Sequence, residues 1–132
     1  MNDYLVDTDW FIQVLHGNAD ATQTLTDLAP HGLATSLITY GELYQGAYYA
    51  RNPQRALQAL RDVLDGVAIL PLTVTIMERF GVVRGSLTRN QRQQVGDMDL
   101  LIAATALEHG VTLVTYNQRD YTLIPGLALY QP

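Results

Sequence analysis

The chain contains no cysteine. That excludes disulfides, thiolate metal sites and thiol nucleophiles, and it suits a reducing compartment such as the cytosol. Lysine is missing too: all eight basic residues are arginine. A P-loop lysine, a Schiff base and the lysine of receiver-type or haloacid-dehalogenase-type aspartate sites are thereby removed. The three histidines, His16, His31 and His109, are scattered, and none forms a metal-spaced pair such as H-x-x-x-H. No apolar run approaches a membrane span. The start, Met1-Asn2-Asp3-Tyr4, lacks the basic region of a signal peptide. Repeats, low-complexity tracts and linkers are absent, so one domain over residues 1–132 is expected.

Positive charge is in short supply, with a net charge of -5. This argues against a protein that coats polyanions through many basic contacts. It leaves room for an enzyme that holds a nucleic acid in one local basic groove.

Short apolar runs alternate with helical patterns along the chain. Tyr4-Leu5-Val6 reads as a strand ending at Asp7, and Thr8 or Asp9 is placed to cap a helix carrying Trp10, Phe11, Val14 and Leu15. A second helix is expected from Ala19 to Leu28, then a strand at Leu33-Ala34-Thr35. Ser36 caps a helix from Leu37 to about Arg51, and Pro53 opens another to Leu64. Val67–Leu70 reads as a strand, and Thr73 or Thr75 starts a helix through Leu87. The polar stretch Thr88–Gln94 reads as a loop or frayed helix end. A helix apolar on most faces follows Asp97 and stops at Gly110. Leu127–Tyr130 reads as an edge strand. This alternation predicts an α/β fold around a mainly parallel sheet.

Few acids fall at element junctions in apolar surroundings. Asp7 ends the first strand, Glu42 lies in the second turn of the helix after the second strand, and Asp97 and Asp99 open the apolar helix. In an open parallel sheet the strand ends and the following helix starts share one edge. These acids are therefore expected to converge. Neighbouring carboxylates repel and raise one another's pKa, and a divalent cation removes that penalty. Oxygen ligands without histidine or cysteine point to Mg²⁺ or Mn²⁺. Each acid also has a plain structural reading. Asp7 and Asp97 suit N-caps, Glu42 suits a solvated helix face, and Asp99 suits the positive end of a helix dipole.

The run Asp7-Thr8-Asp9, the internal Thr39-x-x-Glu42-Leu43, then Asp99-Leu-Leu-Ile-Ala-Ala-Thr-Ala and Leu113-Val-Thr-x-Asn117 resemble the PIN-domain ribonucleases. The likeness is greatest to the VapC toxins of VapBC toxin–antitoxin pairs, and it runs from Tyr4 to about Tyr130. It implies a three-layer α/β/α domain, with metal-binding acids at Asp7, Glu42 and Asp99. Where the family often has a fourth acid, this chain has Asn117. Asp97 or Asp120 is then a source of the missing charge, and Asp97 and Asn117 are expected to position water. The resemblance implies an Mg²⁺- or Mn²⁺-dependent endoribonuclease acting on RNA, a homodimer, and a cognate antitoxin as partner. A non-catalytic interaction module on the same scaffold is the alternative.

Arg79, Arg84, Arg89 and Arg92 precede the acidic segment. Arg84, Arg89 and Arg92 are candidates for substrate phosphates; a solvated helix face and loop is the other reading. Tyr40, Tyr44 and Tyr48 recur at helical spacing beside Tyr49, as core or as interface. Trp10, Phe11 and Tyr44 are expected to form part of a partner groove.

Overall fold

The computed structural model describes residues 2–132. Strand β1 (Tyr4–Val6) leads into helices α1 (Thr8–Leu15) and α2 (Ala19–Leu28), with a 3₁₀ turn at Ala29–His31. Strand β2 (Leu33–Ser36) feeds α3 (Leu37–Tyr48) and α4 (Pro53–Leu64), and β3 (Ala68–Leu70) feeds α5 (Val74–Ser86). Then come α6 (Arg89–Val95), α7 (Asp97–His109), β4 (Thr112–Val114) and α8 (Gln118–Tyr121). The four strands lie in the order β3-β2-β1-β4, and every neighbouring pair is parallel.

Successive strand residues face opposite sides of the sheet, and both sides are apolar. Leu5 and Leu113 join one core with Val83, Val95, Leu100, Ile102 and Tyr121, drawn from α5 to α8. Val6 and Val114 join the other with Phe11, Leu25, Leu43 and Leu60, drawn from α1 to α4. The result is the expected three-layer α/β/α arrangement. Each fully buried Leu or Ile here contributes about 1.5–3 kcal/mol. Helix α7 is buried along Leu100, Ile102, Ala103, Ala104, Thr105 and Ala106. Its Thr105 hydroxyl donates to the Leu101 carbonyl at 2.8 Å, so no polar group there lacks a partner.

Several local expectations are corrected. Asp7, rather than Thr8 or Asp9, is the N-cap of α1. The polar stretch after Thr88 is helical, because Thr88 and Gln91 close a capping box: the Thr88 N–H donates to Gln91 Oε1 at 2.8 Å and the Gln91 N–H to Thr88 Oγ1 at 3.2 Å. Val95 supplies its single buried anchor. Helix α3 stops at Tyr48, short of Arg51. The segment Leu127–Tyr130 makes one bridge to β4 at Leu129 rather than a strand. Asp97 is not a cap: Gly96 holds that position at φ +81°, a left-handed conformation that glycine adopts without strain.

Candidate active site

The chain runs outward from β1 to β2 to β3, then returns to place β4 on the other side of β1. The gap beyond the carboxyl ends of β1 and β4 is thus the switch point of the sheet, where open α/β folds form their sites. Asp7 stands there. Its N–H donates to the Val114 carbonyl at 2.9 Å, which ties the end of β1 to the end of β4. Its Oδ1 accepts the Thr8 N–H and its Oδ2 accepts the Thr115 hydroxyl, both at 2.8 Å. Capping and site formation are therefore served by one side chain. Only 6% of Asp7 is exposed. Burial, and next the charge of Asp9, push its pKa from 3.8 up to about 6, against the pull of the two hydrogen bonds.

Asp99, in the first turn of α7, is half-buried and likewise pushed up to about 6. Burial is the main cause, followed by the charge of Asp7, with Glu42 and Asp120 adding to it. Glu42 is exposed, and its Oε1 accepts the Thr8 hydroxyl at 2.7 Å. Thr8 Oγ1 also lies 3.1 Å from Thr39 Oγ1, so α1 and α3 meet at this contact. The structure thus brings Asp7, Glu42 and Asp99 into one electrostatic neighbourhood.

Asn117 lies beside it. Its N–H donates to Thr115 Oγ1 at 3.0 Å and its side chain to Asp120 Oδ2 at 3.1 Å. Gln94 donates to the other Asp120 oxygen at 2.8 Å. Asp120, which raises the pKa of Asp99, supplies negative charge next to the neutral amide. Asp97 does not: it is exposed and paired with Arg84, Nε to Oδ1 at 2.9 Å.

Sequence reasoning missed three participants. Asp9 accepts the Tyr116 N–H on Oδ2 at 3.2 Å, while its buried Oδ1 has no hydrogen-bond partner. Burial raises its pKa as well. The available signal was the i, i+2 pair Asp7 and Asp9 at one strand end. Thr115, which holds Asp7, stands within the Leu113-Val-Thr-x-Asn117 run, but nothing local marked it as a partner of Asp7. Tyr121 is fully buried, and its hydroxyl faces Asp99 without a hydrogen bond of good geometry. Burial and the nearby charges of Asp7 and Asp99 raise its pKa, so it remains a phenol.

Arg84, Arg89 and Arg92 line a shallow cavity of about 400 Å³ with Gln93, Gly96 and Asp97. Arg92 donates to the Leu87 carbonyl at 3.0 Å. The expected partner groove at Trp10 and Phe11 is not available, because both belong to the core, 4% and 1% exposed. Tyr40 is half-buried and packs against the core, whereas Tyr44, Tyr48 and Tyr49 are exposed, which corrects the core reading for those three.

Residues 4–123 match the PIN domain family. The chain belongs to it. Among its relatives are the ribonuclease VapC1 of Rickettsia felis, 30% identical over 93% of this chain and 91% of that one. The tRNA(fMet)-specific endonuclease VapC of Shigella flexneri is 26% identical over 96% of both chains. The DNA-bound VapBC structure from Salmonella typhimurium superposes with a TM-score of 0.89 at 26% identity, covering 98% of both chains. A toxin–antitoxin complex from Klebsiella pneumoniae does so with a TM-score of 0.76 at 32% identity, over 98% of this chain and 97% of that one.

The donor set fits a hard divalent cation. It is all oxygen, and among the described residues the ion pairs are Arg79–Glu108 and Arg84–Asp97, so no arginine neutralises Asp7, Asp9 or Asp99. Among those residues no three acids or histidines are gathered closely enough to hold a metal ion by themselves. The site is a set of like charges whose members raise one another's pKa values.

Asp7 and Asp99 hold protons more tightly in the folded chain, near pH 6, than at the ordinary 3.8. Protonation therefore stabilises the fold fully below about pH 4, and that stability is lost as the pH rises through about 6. In EDTA the melting temperature is expected to be higher at pH 5 than at pH 7.5, with Asp7 alone supplying about 1–2 kcal/mol. Asp7→Asn should flatten this slope. Millimolar Mn²⁺ should raise the melting temperature more at pH 7.5 than at pH 5, where protons compete for the same oxygens; calorimetry at the two pH values checks both.

Proposed function

We propose that the chain is a metal-dependent endoribonuclease and the toxin of a toxin–antitoxin pair. Asp7 and Asp99, with Glu42, hold Mg²⁺ or Mn²⁺ and hydrolyse RNA phosphodiester bonds. One observation carries this reading: a buried and a half-buried carboxylate with raised pKa values lie at the switch point of a parallel sheet, and among the described residues no arginine is paired with them. The names of the relatives support the nucleic-acid class. A structured RNA such as a tRNA is the proposed substrate.

When bound, a divalent cation supplies positive charge against the phosphate oxygens and acidifies water. The chain's own groups do the rest. Thr115 and the Thr8 N–H fix both oxygens of Asp7, which limits reorganisation when substrate arrives. Thr8 orients Glu42 through one oxygen and leaves the other free to accept a proton from water. Tyr121 offers a hydroxyl to Asp99 and stays neutral at working pH. Asp120 and Asn117 order the far wall. Since Asp120 sits beside Asn117, the missing fourth acid no longer favours a non-catalytic module.

Beside Glu42 an apolar groove of about 400 Å³ opens between α1, α3 and α4, lined by Ile12, Leu15, Leu43, Ala47, Ala59 and Leu60. It takes the place of the expected Trp10 and Phe11 surface as the seat of the antitoxin. A segment with an apolar face and a basic residue fits it, since Glu42 is part of its lining and the chain is acidic.

Asp7→Asn and Asp99→Asn are each expected to lower Mn²⁺-dependent RNA cleavage at least about 100-fold while circular dichroism stays native; full activity in either variant would sink the assignment. Replacing Arg84, Arg89 and Arg92 together by alanine should reduce the log–log salt slope of RNA binding by about 1–2, at about 0.7 for each phosphate no longer neutralised. Filter binding across a salt series reads this, and an unchanged slope puts the phosphate path elsewhere. Ala59 is exposed in the apolar groove. Ala59→Arg should weaken inhibition by the cognate antitoxin about 10-fold or more with cleavage intact, as measured by antitoxin titration of the nuclease.

A further inference from the structure

Tyr116 lies between two residues of the acidic site and joins it through its backbone N–H, which donates to Asp9. Thr115 holds Asp7 and Asn117 holds Asp120, while the Tyr116 ring lies flat on Trp10. The two ring centroids are 4.3 Å apart and their planes differ by 9°. Trp10 is itself fixed: it is the sole tryptophan of the chain, it is buried, and Tyr130 closes its edge at 6.5 Å. The Tyr116 backbone is pinned by the Asp9 carboxylate. Even so, 49% of Tyr116 is exposed. With one face against the indole, that exposure belongs to the other face and the ring edge.

We propose that Tyr116 is a stacking platform for an unpaired RNA base next to the scissile phosphate, braced from behind by Trp10. This rests on the endoribonuclease reading of the adjoining acids. Bases of single-stranded RNA, splayed out of a helix, stack on exposed aromatic faces. Such stacking is tolerant of sequence, since every base has a π-face. A ring already immobilised on an indole loses little further freedom when a base arrives, so more of the stacking energy appears as affinity. The position matters as much as the ring. Tyr116 is one residue from the group that fixes Asp7 and one from Asn117, so a base seated on it brings its own phosphates to the acidic edge. Bases stacked inside a duplex have no face to offer, and the platform therefore selects single-stranded or looped RNA at the cut.

The probe is a fluorescently labelled single-stranded RNA dodecamer of mixed sequence, titrated with the full chain in EDTA and read by anisotropy. Tyr116→Ala is expected to raise Kd about 5- to 100-fold. Tyr116→Phe should stay within about twofold of the parent, and Tyr116→Leu should behave like alanine, because an apolar side chain without a π-face does not stack. A blunt RNA duplex of the same sequence should show no dependence on residue 116. In Mn²⁺, Tyr116→Ala should raise KM and leave kcat within about threefold. An unchanged Kd in Tyr116→Ala, or full binding by Tyr116→Leu, overturns the platform. So does an effect of Tyr116→Ala on antitoxin inhibition alone, which makes the ring a protein contact. Cleavage by the parent with an unaltered KM in Tyr116→Ala overturns the platform but leaves the nuclease reading standing. A parent chain that neither binds nor cuts RNA overturns both.

Discussion

The rest of the structure depends on holding mutually repelling carboxylates at one edge of a small sheet. Asp7, Asp9 and Asp99 all have raised pKa values, burial being the leading cause for each. A fold that only needed a cap at the end of β1 would gain more from a neutral serine or asparagine, which satisfies the same N–H without a buried charge. The chain keeps the charges and surrounds them with hydroxyls and N–H groups rather than with arginine. That choice makes sense where the balancing positive charge comes from outside the polypeptide. It also explains where the stabilising material goes. Two apolar layers, one on each face of the sheet, offset an edge that is unfavourable by itself.

The loop after β4 is the part on which that edge turns. The Thr115 hydroxyl donates to Asp7 and its oxygen accepts the Asn117 N–H, so one side chain sets both the carboxylate and the path of the loop. Tyr116 ties the same loop to Asp9, and Gln118 donates back to the Thr115 carbonyl at 2.8 Å. Short strands cannot hold a site rigid alone, since β1 and β4 have three residues each. The rigidity comes from these cross-links between strand ends, which span the switch point.

Much of this was legible in the residues. Alternation of short apolar runs with capped helices was enough for the parallel three-layer fold, and Ser36, Asn52-Pro53 and Gly110 punctuate it where the pattern says they should. Asp7, Glu42 and Asp99 were readable because each is an acid at a junction. What was not legible depends on partners far away in sequence. Thr115 looks like any strand residue until Asp7, 108 positions earlier, is placed against it. Tyr121 sits in a four-residue helix too short for a periodic signal. Asp97 had every local mark of a cap, yet the left-handed turn at Gly96 takes that position and frees Asp97 to meet Arg84, a contact made between helices. Trp10 and Phe11 read as surface anchors only while the neighbouring α2 and α4 were unplaced.

An acidic protein acting on an acidic polymer needs a separation of roles. At physiological salt, exposed charges are screened beyond about 8 Å, so the net charge of -5 matters less than what lies within reach of each phosphate. The arginines belong to α5 and α6, in the helical layer on one face of the sheet, and the Trp10–Tyr116 stack is built on α1, in the layer on the other. Arg84 is already paired with Asp97, whereas Arg89 and Arg92 join no ion pair among the described residues. A strand crossing from the arginines to the aromatic ring would meet charge first, then the acids, then a surface indifferent to charge. Attraction on one flank and the proposed stacking on the other would bring the phosphate between them to the acidic edge. The repulsion at that edge is what the divalent cation removes, so substrate entry and metal binding are coupled by the same carboxylates.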